Sequence, residues 1–125
     1  MTAQRHCLAL DLKDDPALIA EYEALHRQIW PQISQHLLDN GVLDMQIWRL
    51  GTRLFMVMDT ACGFDPEAFA RAAASDPHVQ AWEALMWRFQ QPTPWTARHQ
   101  KWTPMAQIFS LHAPHTGATG EARDL

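Results

Sequence analysis

Along His6-Cys-Leu-Ala-Leu-Asp-Leu12 the apolar residues alternate, with Leu8, Leu10 and Leu12 on one face and Cys7, Ala9 and Asp11 on the other. Period-two alternation predicts a strand. Asp15-Pro16 then supplies a helix start, an N-cap acid followed by a proline at the first helical position. The period changes to that of a helix, with Leu18, Tyr22, Leu25, His26 and Ile29 tracing one stripe to about Ile29. Trp30-Pro31 interrupts it, and a second helical piece over Gln32–Asn40 stops at Gly41. Val42–Leu50 and Arg53–Thr60 read as strands joined by Gly51-Thr52, a loop that favours a type II′ turn because glycine leads it. Their alternation places Leu43, Met45 and Ile47 on one face and Val42, Trp48 and Leu50 on the other. Asp65-Pro66 and Asp76-Pro77 repeat the helix-start signal, for helices over Phe64–Ser75 and His78 to about Phe89. The second of these carries the stripe Val79, Trp82, Leu85, Met86 and Phe89. A proline-rich loop from Pro92 to Pro104 follows, and Met105–Leu111 reads as the last strand.

The predicted order is strand, helix, strand, strand, helix, strand, which is an α+β, ferredoxin-like βαββαβ antiparallel sheet with its helices on one face. The strands are apolar on both sides, and one layer of helices covers only one of them. The other face therefore predicts a homodimer joined sheet to sheet, a dimeric α/β barrel. The expected organisation is a single domain over 1–112 and a flexible C-terminal tail over 113–125, which is small, polar and glycine-containing.

With 125 residues and 47% hydrophobic content, the chain is sized for one globular domain. Ten basic against 14 acidic side chains give a net charge of −4, which argues against nucleic acid and against a polybasic membrane contact. No apolar run is long enough to span a bilayer. Met1-Thr-Ala-Gln-Arg-His6 is too short and polar for a signal peptide, so Cys7 and Cys62 are expected as reduced thiols of a cytoplasmic protein. Six tryptophans exceed what one small core needs and suggest an aromatic-lined pocket or a subunit contact.

A serine elbow, a phosphate loop, dinucleotide fingerprints and metal-ligand spacing are all missing from the chain, so no cofactor and no metal is expected. What remains is proton transfer by side chains. Tyr22 and His26, four apart, project a phenol and an imidazole from one helix face, just ahead of a bend walled by Trp30. The plainer reading, a core tyrosine beside a surface histidine, stands next to this one. Asp59 and Asp11 at strand ends and Glu83 on the last helix are further acid–base candidates, each equally readable as a solvated carboxylate. Trp95 and Trp102 fall in the proline-rich loop, outside any periodic core stripe.

The run Tyr22-x-x-x-His26-x-x-Ile29-Trp30-Pro31, the strand Leu54-Phe55-Met56-Val57, Val79-Gln80-x-Trp82 with Met86, and Gln107-Ile108-Phe109 resemble the L-rhamnose mutarotase family over residues 5–112. The resemblance implies a small cofactor-free isomerase that interconverts the anomers of a 6-deoxy-L-hexose. It implies His26 as the proton donor, Tyr22 as a sugar contact and Trp82 as the first of two tryptophans lining the sugar. Two positions depart from the family pattern: the second tryptophan is Glu83, and a sugar-contacting tyrosine is Met45. Both changes touch the pocket and bring L-fucose forward beside L-rhamnose. The expected substrate-binding set is thus Tyr22, Trp30, Met45, Asp59, Trp82 and Glu83. A cofactor-independent monooxygenase or a non-catalytic sugar-binding protein on the same scaffold is the alternative.

Overall fold

The computed structural model describes residues 3–112, and the predicted tail over 113–125 lies outside them. Strand β1 spans Gln4–Leu12, helix α1 Pro16–Arg27 and helix α2 Pro31–Asp39. Strands β2 and β3 span Val42–Leu50 and Arg53–Thr60, helices α3 and α4 Pro66–Ser75 and Pro77–Met86, and two short strands follow, β4 at Gln90–Gln91 and β5 at Thr103–Pro104.

The Asp-Pro pairs act as predicted. Asp15 Oδ1 accepts from the N–H of Ala17 at 2.9 Å and of Leu18 at 3.3 Å. Asp65 caps Glu67 N at 3.0 Å, and Asp76 caps His78 N at 2.9 Å. Each carboxylate satisfies amides that the first helical turn leaves without partners, while the proline needs none. Trp30 is held extended at ψ 134° ahead of Pro31, which separates α1 from α2. In the hairpin Gly51 has φ 59° and Thr52 has no positive φ, the pattern of a type II′ turn.

The sheet runs β2-β3-β1-β4, antiparallel throughout, with β5 also on β1. Leu8 pairs with Met56 and Leu10 with Leu54 across β1 and β3; Met45 pairs with Met58 and Ile47 with Met56 across β2 and β3. These residues face the helices. Leu12, Tyr22, Leu54, Val79, Trp82, Met86 and Phe89 form most of one buried cluster, and Val42, Met56 and Met58 form a second under Phe64 and Phe69. The outer face carries two bidentate ion pairs. Arg53 donates to Asp11 at 2.8 and 3.1 Å, and Arg5 donates to Asp59 at the same distances.

Three features differ from the sequence reading. A register shift between Val42 and Asp44 turns Val42 inward, where it is buried, and leaves Leu43 exposed. A bulge inserts one residue and so reverses the alternation on one side of it. The fourth strand is not Met105–Leu111: the free edge of β1 is taken by β4 at Asp11–Leu12 and by β5 at Leu8–Ala9. Pro104 has no N–H to give the ladder, and Met105–Leu111 leaves the sheet after Met105 N donates to Cys7 O at 2.8 Å. Trp102, assigned by period to no core stripe, packs against both clusters.

Candidate active site

Helix α1 delivers Tyr22 and His26 one turn apart, with ring centroids 4.2 Å from each other. From α4, Trp82 meets His26 edge to face at 5.6 Å, and Trp30 at the bend meets Trp82 at 5.1 Å. Four of the predicted residues thus form one chain of ring contacts spanning α1, the bend and α4. A cleft of about 440 Å³ opens beside it, bordered by Tyr22, Glu23, His26 and Arg27 of α1 and by Ile47, Trp48, Arg49 and Leu54 of the sheet. A larger hollow of about 710 Å³ lies between α2 and the α3–α4 junction, but no tryptophan or tyrosine lines it.

The imidazole is oriented by the backbone. His26 Nδ1 lies 2.8 Å from the carbonyl oxygen of Tyr22. A carbonyl only accepts, so Nδ1 carries the proton in the neutral ring and Nε2 is left with the lone pair. Burial lowers the His26 pKa from 6.5, and the bond to the Tyr22 carbonyl opposes that shift. The ring is therefore neutral at pH 7 and presents Nε2 as a base, which becomes an acid once protonated.

Tyr22 behaves oppositely. Burial, and then the charge of Glu83, push its pKa up to about 12, against the hydrogen bond from Gln90. Gln90 Nε2 donates to the phenol oxygen at 3.2 Å. Tyr22 stays a neutral phenol, able to bond a hydroxyl but not to take its proton. It is the sole tyrosine of the chain, so tyrosinate absorbance near 295 nm reports it alone. The expected titration midpoint of the folded protein is about 12; a midpoint at the ordinary 10 would place the phenol in solvent.

Glu83 is half-buried and accepts from Lys101 Nζ, which also sits 4.6 Å above the Trp87 ring. Its charge is felt at Tyr22, but it does not border the cleft. Met45 packs in the second core cluster and does not border the cleft; Ile47, its neighbour along the same face of β2, does. Asp59 is not brought to the site: it lies on the outer face, where the hydrogen bond from Arg5 holds its carboxyl below the usual range. Asp11 is likewise engaged by Arg53, with Trp95 exposed over that guanidinium at 5.1 Å. Among the described residues no group of three or more His, Cys, Asp or Glu side chains is placed to hold a metal ion.

The model of the L-rhamnose mutarotase family matches residues 5–111. The chain belongs to that family. Its members are carbohydrate epimerases, which are isomerases. The L-fucose mutarotase of Xanthomonas campestris is 47% identical over 113 residues, covering 89% of this chain and 90% of the relative. Among solved structures, the L-rhamnose mutarotase of Formosa agariphila superposes with a TM-score of 0.64 at 22% identity, over 86% of this chain and 98% of that one. A dimeric ferredoxin-like protein from an uncultured marine organism superposes with a TM-score of 0.51 at 14% identity, over 89% and 94%. The two structural likenesses carry the fold alone. No helix among the described residues is long and apolar enough to cross a membrane.

Sequence reasoning missed Gln90, Lys101 and the pair Arg49–Glu23, whose Nε and Oε2 are 2.6 Å apart beside the cleft. Only Arg49 left a signal, since period two along β2 puts it on the face of Met45 and Ile47. Nothing local marks Gln90, which is placed by its pairing with Leu12 of β1, or Lys101, which is placed by the loop's return to α4.

Proposed function

We propose that this protein is a mutarotase that interconverts the α and β anomers of a 6-deoxy-L-hexose, with L-fucose as its sugar. The observation that carries the reading is His26, its Nδ1 engaged by the Tyr22 carbonyl and its ring walled by Tyr22 and Trp82 beside an open cleft. The high identity to the Xanthomonas L-fucose mutarotase supports the choice of sugar.

Mutarotation breaks the bond between the anomeric carbon and the ring oxygen. A proton leaves the anomeric hydroxyl, another reaches the ring oxygen, and the resulting aldehyde recloses on its other face. His26 Nε2 accepts the first proton, and the imidazolium so formed returns one to the ring oxygen. Acid–base assistance of this kind contributes ~10²–10⁴-fold. Tyr22 bonds a sugar hydroxyl as a neutral phenol. Trp82 and Trp30 do not border the cleft and act through the imidazole, which their ring contacts hold in place, while Trp48 on the cleft wall offers aromatic surface to the C–H face of the sugar. Glu83 is assigned to accept a hydrogen bond from a sugar hydroxyl and thereby to select sugar configuration. Met45 shapes the pocket from behind, through its core packing.

The working form is a homodimer joined through the outer sheet faces, in the cytoplasm. The partly exposed apolar residues Phe55 and Val57 on that face and the dimeric fold neighbour support the first point; the free thiols of Cys7 and Cys62 support the second.

Saturation transfer between the anomeric proton signals of L-fucose tests the activity. The protein is expected to accelerate exchange for L-fucose more than for L-rhamnose. Exchange of both sugars at the buffer rate would overturn the reading, and binding without acceleration would leave a sugar-binding protein.

A further inference from the structure

Gln90 is a buried polar residue that the proton transfer above leaves unused. It follows Phe89 and pairs across the sheet with Leu12, both of them fully buried and apolar. Gln90 itself is 3% exposed. An amide in such surroundings costs stability unless both of its ends are paired. Here one end is paired. Nε2 donates to the Tyr22 phenol oxygen at 3.2 Å, and Oε1 has no hydrogen-bond partner among the described residues. Methionine has a similar reach and would fill the position without leaving a buried acceptor orphaned. A half-paired buried amide whose paired end rests on a residue of the cleft points to a task in that site.

The segment that carries Gln90 is also the seat of the Tyr22 ring. Phe89 meets that ring edge to face at 6.0 Å, with the His26 ring 4.2 Å away. Lys13 N donates to Phe89 O at 2.8 Å, and Gln90–Gln91 pairs with the end of β1, so the segment is fixed by the sheet. Tyr22 in turn borders the cleft. Among the described residues its phenol has one hydrogen-bond partner, Gln90.

The direction of that bond sets the polarity of the phenol. An amide N–H only donates, so it takes a lone pair of the phenol oxygen. The O–H is then left without a protein acceptor and is available to what enters the cleft. The accepted bond polarises this O–H and strengthens it as a donor. Burial raises the Tyr22 pKa, and the bond from Gln90 works against that rise, in the same sense.

We propose that Gln90 is a positioning residue for the mutarotation: its amide holds the Tyr22 phenol so that the O–H is donated into the cleft, to the oxygen of a sugar hydroxyl. This rests on the mutarotase reading above and deepens it, because it makes Tyr22 a donor to the sugar and not an acceptor. The orphaned Oε1 is the cost of that orientation, since an amide that offers its nitrogen to the phenol turns its oxygen into an apolar wall.

The test is Gln90→Met. Saturation transfer over a range of L-fucose concentrations should show KM raised ~3–10-fold with kcat little changed, the loss of one oriented hydrogen bond. The thermal midpoint should hold or rise, because the orphaned acceptor is gone. In a Tyr22→Phe background the same substitution should leave KM unmoved, since the group it acts through is absent. The Raman doublet of tyrosine distinguishes a phenol oxygen that accepts from an O–H that donates, and Tyr22 is the sole tyrosine. The native protein without sugar should show an accepted bond, lost in Gln90→Met, and saturating L-fucose should add a donated one. A sugar-free native phenol that accepts no bond would overturn the proposal even if the variant failed to fold. So would a native KM with a lowered thermal midpoint in Gln90→Met, which is the signature of packing alone, or an equal rise in KM in the Tyr22→Phe background. Each of these leaves the mutarotase reading standing while the native protein accelerates exchange; native exchange of both sugars at the buffer rate would overturn that reading and this role together.

Discussion

Replacing His26 by alanine is expected to return anomer exchange almost to the buffer rate, a loss of ~10²–10⁴-fold. Among the residues lining the cleft the imidazole is the one group whose ordinary pKa lies close to neutrality, and its Nε2 has no hydrogen-bond partner among the described residues. Tyr22 cannot replace it, because its proton is held until about pH 12. Far-UV circular dichroism should be unchanged, since His26 is half-buried and its bond returns to its own helix. The pH dependence has a definite sign. The folded pKa lies below the ordinary 6.5, so the neutral ring persists into mild acid and activity should hold there, failing only as pH drops through the lowered value. Stability follows the same window. The unfolded chain binds more protons between the two values, so the contribution from a neutral His26 is fully present above 6.5 and is lost as pH falls toward the folded value. A native activity profile in His26→Ala would remove this residue from the mechanism.

Trp82→Ala is expected to cost about 3–5 kcal/mol of folding stability, the range for truncating a large buried aromatic. Trp82 is only 6% exposed and sits where α4 meets the sheet core. It also makes edge-to-face contacts with His26 and Trp30, an arrangement worth about 0.5–1.5 kcal/mol per pair beyond burial. Against a typical net stability of roughly 5–15 kcal/mol, such a loss is a large fraction. Urea unfolding should show the midpoint fall with an unchanged slope. Trp82→Phe should recover much of the stability, because it keeps an aromatic edge and most of the volume. A loss below about 1 kcal/mol for the alanine variant would mean that the ring is not part of the core. Since the same ring walls the imidazole, the alanine variant should lose activity even at temperatures where it remains folded.

The helices were legible because their signals are local. Asp15-Pro16, Asp65-Pro66 and Asp76-Pro77 each state a boundary within a few residues, and Gly51-Thr52 states a turn. The Tyr22–His26 pair was legible for the same reason, as helical spacing alone stacks the two rings. What failed depended on pairing at a distance. The Val42–Asp44 bulge exists only against β3, so no pattern within β2 could reveal that Val42 turns inward. Met105–Leu111 has the composition of a strand, yet pairing on β1 ends at Thr103–Pro104 and the chain leaves that edge after Met105. Asp59 has the chemistry of a site residue, but its fate was decided by Arg5, 54 positions away in sequence. Gln90 and Lys101 escaped notice because the groups they serve are brought to them by the fold.

The support that fixes the His26 ring is a peptide carbonyl, and no substitution can delete a peptide carbonyl. Enzymes that steady an imidazole with a neighbouring carboxylate can lose that brace in a single codon change; here the brace persists as long as the helix does. The positions around it, Met45, Glu83 and the rim of β2, carry no such burden. On the proposed mechanism, a change of deoxy sugar needs changes only in the surround, while the nitrogen assigned to proton transfer keeps its aim.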